Sequence, residues 1–130
     1  MVKVFNSEGQ APILLVCEHA TNFIPALFKD LGLTPTQLQS HIAWDPGAIE
    51  TAEAMAEILD APLISATVSR LIYDCNRPPD SATAMPLTSE NQIIPGNVDL
   101  AETSKQQRVT NYYRPFEAAL SERVVLMGMP

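Results

Sequence analysis

The feature that most constrains the fold is an order of three segments. A short apolar run, PILLVC (Pro12–Cys17), leads through a polar stretch to an amphipathic helical pattern and then to a second apolar run. Ile13–Cys17 is short, apolar and bounded by proline and polar residues, which predicts a buried strand. Asp45-Pro46 opens the helix: Asp45 is a candidate N-cap and Pro46 fits the first turn. Ile49, Ala52, Met55, Ala56 and Leu59 then recur at 3.6 spacing, with Glu50, Glu53 and Glu57 opposite, predicting a helix over Pro46–Leu59. Asp60-Ala61-Pro62 ends it, because the residue before proline resists the helical region. Leu63–Val68 reads as the next strand, and Leu71–Tyr73 continues apolar. Strand, helix, strand is the pattern of a βαβ unit in an α/β sheet.

Smaller elements surround this unit. Thr34-Pro35-Thr36-Gln37 has the residues of a capping box and predicts a short helix over Pro35–Ser40. One or two helical turns are expected at Ala26–Asp30. Residues 77–100 are rich in Pro, Ser, Thr, Asn and Gly and read as a long, largely irregular excursion. Glu102–Arg123 is a second helix, with Val109, Tyr113, Phe116 and Leu120 on one side and Pro115 expected to kink or divide it near Tyr113. Val124–Met127 reads as the start of another strand. Its open edge would invite pairing with another chain, so either a homodimer or further sequence that covers the edge is expected.

Length and charge narrow the function classes. The 130 residues suit one domain, taken as 1–130. A 46% hydrophobic content excludes a wholly disordered chain. No stretch approaches the roughly 18 apolar residues of a membrane span, and MVKVFNSEGQ lacks the pattern of a secretory signal, so a cytoplasmic protein without a membrane role is expected. A net charge of −7 disfavours nucleic acid as a partner but leaves room for an anionic small molecule. Cys17 and Cys75 make no metal motif and are expected to be buried, reduced thiols.

Three polar clusters sit at element ends: CEHATNFIP (Cys17–Pro25), HIAWDPGA (His41–Ala48) and SRLIYDCNRPP (Ser69–Pro79). They suggest one site built from three loops. His19 can bind a metal or move a proton, or can satisfy loop backbone; Glu18 can be a ligand or a base. Asp45 reads first as an N-cap and could also coordinate metal from the same place. Trp44 suits a core or a pocket wall. Arg70, within an apolar segment, needs either a substrate carboxylate or a pairing with Asp45 or Asp74. Asn76 and Arg77 can hold polar substrate groups or order the long loop.

These three motifs, extended by IIPGN (Ile93–Asn97) and YYRPFEAAL (Tyr112–Leu120), resemble in order and interval the amino-terminal half of the N-formylglutamate amidohydrolase family. The resemblance implies a three-layer phosphorylase/hydrolase-like α/β fold, a sheet with flanking helices, incomplete at the C-terminus. It implies a zinc-dependent hydrolase of linear amides, the named reaction converting N-formylglutamate to formate and glutamate. His19 corresponds to the family's first histidine, Asp45 to the acid of its Trp-Asp motif, and Glu18 to a neighbouring motif position; these three are the implied Zn2+ ligands. Glu18, His19, Asp45 and Arg70 are the implied catalytic residues. Arg70, Asn76, Arg77 and Asn22 are the implied contacts to a small acidic N-acyl amino acid. The family pattern continues to a further histidine, in a His-Ser-Phe type motif, that this chain does not contain. A catalytically inactive remnant that binds an acidic metabolite or a protein partner is the alternative.

Overall fold

The computed structural model describes residues 2–129. Its centre is a three-stranded sheet in the order β1-β3-β2, with β1 at Val2–Phe5, β2 at Leu15–Cys17 and β3 at Leu63–Ala66. β2 and β3 run parallel, with Val16 opposite Ile64, and the crossover between them carries α1 (Pro35–Gln39) and α2 (Ala48–Leu59). This is the expected βαβ unit. β1 adds an antiparallel strand on the other side of β3, with Val4 opposite Ile64. All four residues of β3 are buried, as a strand covered on both faces requires.

The two faces of β3 feed two clusters, because successive side chains point in opposite directions. Leu63 packs with Cys17, Ala20 and Ala56, so α2 covers one face. Ile64 and Ala66 join a larger cluster with Leu71, Ile72, Tyr73, Ile94 and Phe116 on the other. Phe116 belongs to α4 (Arg114–Leu126), which follows α3 (Glu102–Arg108) through a π-helical turn at Val109–Tyr113. Pro115 explains the turn. In a regular helix its ring would meet the carbonyl of Asn111, and it has no N–H to donate. The backbone widens instead, and the Arg114 N–H reaches the carbonyl of Val109. The expected interruption near Tyr113 is thus a π-turn, with helix on both sides.

Two expectations need correction. Val124–Leu126 are the last residues of α4 and Met127 is a turn, so no strand forms there and the expected aggregation-prone edge does not exist. The edges of the sheet are β1 and β2. Leu71–Tyr73 is not extended strand but a buried turn. The 77–100 segment is largely irregular, as expected, its regular structure being a short hairpin that pairs β4 (Thr88–Ser89) with β5 (Gln92–Ile93) and a 3-10 turn at Pro95–Asn97. Gly96 sits so close to Leu31 that a Cβ there would lie 2.8 Å from the Leu31 Cα, which excludes a side chain without backbone movement. The capping box at Thr34 and Gln37 forms as its sequence implies, and both cysteines are free and buried.

Candidate functional site

The three polar clusters meet because the backbone stitches them together. The Asp45 N–H donates to the His19 carbonyl at 3.0 Å, and the Ser69 N–H donates to the Phe23 carbonyl at 2.8 Å. The Ser69 hydroxyl, fully buried, donates to the Ala43 carbonyl at 2.6 Å. Each bond joins two of the loops, so the side chains they carry converge beyond the ends of β2 and β3.

Asp45 does not cap α2. Gly47 takes the N-cap position with φ 87°, a left-handed conformation that suits glycine, and the helix begins two residues later than Pro46. The Asp45 carboxylate is left free, and Oδ2 lies 3.2 Å from Nδ1 of His19. Nε2 of His19 lies 2.8 Å from Oδ1 of Asp74, which also accepts the Asn76 N–H at 3.0 Å. Arg70 spans both acids, 3.5 Å from Asp45 Oδ1 and 3.5 Å from Asp74 Oδ2. Both pairings open to Arg70 in the sequence therefore occur. At 3.5 Å they are ion-pair contacts longer than good hydrogen bonds, so the five-donor guanidinium has capacity left.

Asp74 is the residue that sequence reasoning leaves out of the site. It is buried, between Tyr73 and Cys75, and it touches both His19 and Arg70. An acid flanked on both sides by apolar residues was the available signal, since a buried carboxylate must be paired.

The electrostatics follow from this geometry. The bond to Asp74 raises the His19 pKa above its ordinary 6.5, against the opposing effects of burial and of Arg70. Burial alone would push Asp74 up, but the bonds from His19 and from the Asn76 N–H, with Arg70, hold it below 3.8. His19 accordingly stabilises the fold below pH 6.5, and that contribution is lost as pH rises through its higher folded value. Asp74 stabilises above pH 3.8, and its contribution is lost as pH falls through its lower folded value. The melting-temperature difference between the chain and Asp74→Asn is thus expected to be largest between these two values and to shrink above pH 6.5. A difference that grows with alkaline pH would contradict the pairing.

The remaining expected site residues are placed as follows. Glu18 lines an open groove with His19, Asp45, Thr51 and Met55. Arg77 shares a second cleft, of about 160 Å³, with Arg70, Asp74, Thr83 and Ser89; its Nε donates to Thr83 Oγ1 at 3.2 Å. Asn76 is exposed. Asn22 is turned to structure, its amide donating to the Leu38 carbonyl at 2.8 Å. Trp44 is partly buried against the larger core cluster. His41 is exposed, 3.9 Å from Glu90, and takes no part in the cluster. Among the described residues, no group of three or more His, Cys, Asp or Glu side chains is arranged to hold a metal ion, and no helix is long and apolar enough to cross a membrane.

A convergent His–Asp–Arg cluster at strand ends is a general device, and comparison with known proteins makes it specific. A crystal structure of the gene product Atu2144 from Agrobacterium tumefaciens superposes with a TM-score of 0.94 at 46% sequence identity, covering 95% of this chain and 49% of that one. The chain thus spans about half the length of that protein. No curated protein matches the sequence significantly. The sequence pattern of the N-formylglutamate amidohydrolase family matches residues 11–127, which takes in all three polar clusters and the π-turn. The chain belongs to the N-formylglutamate amidohydrolase family.

Proposed function

We propose that this chain carries the substrate-anchoring and proton-holding part of an amidohydrolase site for small acidic N-acyl amino acids, N-formylglutamate being the reference substrate. The observation that carries the reading is Arg70 set between two carboxylates that both bond His19. Arg70 and Arg77 face one cleft, and a substrate carboxylate would find two guanidinium groups there. His19 is fixed through Nε2 by Asp74, so its Nδ1 proton, on the Asp45 side, is the one available to a leaving amine nitrogen. Asp45 and Glu18 are the carboxylates on the same groove that can accept a proton from attacking water. The wider family fold, a layered sheet with helices on both sides, is proposed here for the whole domain.

A catalytic zinc takes three protein ligands and keeps one position open. His19 has a carboxylate on each nitrogen, and the described residues bring no third donor to a common point. His19 and Asp45 make a pair and not a zinc site, and no step above runs through a metal.

The carboxylate held on each ring nitrogen of His19 favours a second reading, a site that binds an acidic metabolite without turning it over. Formate release from N-formylglutamate separates the two. Under the hydrolase reading His19→Ala abolishes release, and Arg70→Lys raises KM about tenfold with a smaller change in kcat, since lysine cannot offer a two-pronged contact. Saturable binding of N-formylglutamate without formate release would establish the second reading. Neither binding nor release would overturn both.

A further inference from the structure

One buried charge lies away from the site described above. Arg108, at the end of α3, is 3% exposed. Its Nη1 donates to the Ile72 carbonyl at 3.1 Å and to Asn97 Oδ1 at 2.7 Å, both neutral acceptors. Its Nε is buried without a hydrogen-bond partner and is the one such side-chain atom among the described residues. The Phe28 ring covers the guanidinium, 4.8 Å from Cζ. No described carboxylate pairs with it. Isolated buried charge is costly, and native structures pair it or hydrogen-bond it fully.

Arg108 also lines a cavity of about 300 Å³, at the lower end of the range for small-molecule sites. Leu27, Phe28 and Leu100 give it apolar walls, and Ser104 and Gln107 of α3 with Asn111 of the π-turn line another side. No acidic side chain lines it, in a chain of net charge −7. The cavity shares no residue with the His19–Asp45–Asp74 cluster, so its occupancy does not depend on the amidohydrolase reading.

We propose that this cavity is a second ligand site, for a small monocarboxylate with an apolar body, whose single negative charge pairs with Arg108. One unpaired cation sets the charge at one. The planar guanidinium fork suits a carboxylate, and Phe28 and Leu100 suit a ring or short alkyl chain. The Ser104 hydroxyl and the Gln107 and Asn111 amide NH2 groups can donate to the carboxylate's remaining lone pairs.

The test is calorimetric titration of the full chain with benzoate, with benzamide as the neutral isostere and inorganic phosphate as the anion without an apolar body. Benzoate is expected to bind saturably, with Kd on the order of 1 mM or tighter, and at least tenfold better than benzamide or phosphate. Arg108→Gln should abolish binding. Because that variant can also disturb folding, Asn111→Asp is the second probe. Asn111 is exposed, so the change leaves the core alone and places a carboxylate on the cavity wall. It should weaken benzoate at least tenfold while the melting temperature holds. No saturable benzoate binding overturns the proposal. So does equal binding of benzamide or phosphate, or unchanged benzoate affinity in Asn111→Asp.

Discussion

Asp74→Ala is expected to destabilise the fold by about 3 kcal/mol, the cost of removing one partner from a buried ion pair. The reason is that one carboxylate serves three donors: His19 Nε2, the Asn76 N–H and Arg70. Alanine leaves His19 with Asp45 alone, and Asp45 is half exposed and so weakened by solvent. The variant should also change the titration of His19. With its main stabilising partner gone, burial and Arg70 act in the opposite direction with only Asp45 against them, and the imidazole pKa should fall. Urea unfolding reads the first effect and NMR titration of the His19 ring reads the second. A His19 titration unchanged by the substitution would show that Asp74 does not hold the imidazole in solution.

Asn97→Leu is expected to cost about 3–5 kcal/mol, because two buried hydrogen bonds and one partly buried one are lost at once. Its amide nitrogen donates to the Leu71 and Pro86 carbonyls, each at 2.8 Å, and its oxygen accepts from Arg108. Leucine has a similar volume, so the loss is polar and not a cavity. Asn97 is one of the ties between the excursion of residues 77–100 and the core, beside the Gly96–Leu31 backbone bond and buried Ile94, and amide exchange across the β4–β5 hairpin should quicken in the variant. A loss under about 1 kcal/mol would mean that water replaces these bonds readily.

What the sequence made legible follows from how local each signal is. The capping box at Thr34 and the stripe of α2 are written in adjacent residues, and both elements appear with bounds shifted by one or two positions. β1 is less legible: four residues, VKVF, alternate weakly and acquire meaning only from pairing with β3. Val124–Leu126 mislead because β-branched residues favour strands locally, while the helix already running from Arg114 continues through them. At the site, His19, Asp45 and Arg70 can be picked out from their motifs, and the structure brings them together. Asp74 cannot be picked out as readily, since its partners lie 55 and four residues away. Asp45 looks like a cap because Asp-Pro usually is one; the left-handed Gly47 moves the helix start and frees the carboxylate.

The π-turn at Val109–Tyr113 also sets a phase. Each helical residue advances the side chains by roughly 100°, so one extra residue in a turn rotates everything after it by that angle. Two neighbouring tyrosines can then both face inward, Tyr112 beside Phe28 and Tyr113 beside Tyr73. Phe116, beyond the turn, is aligned with the sheet. Deleting one residue from this turn would shift that phase and swing Phe116 off the core. The widened turn therefore works as a spacer that keeps two stretches of helix, each with its own inward face, aimed at the same interior.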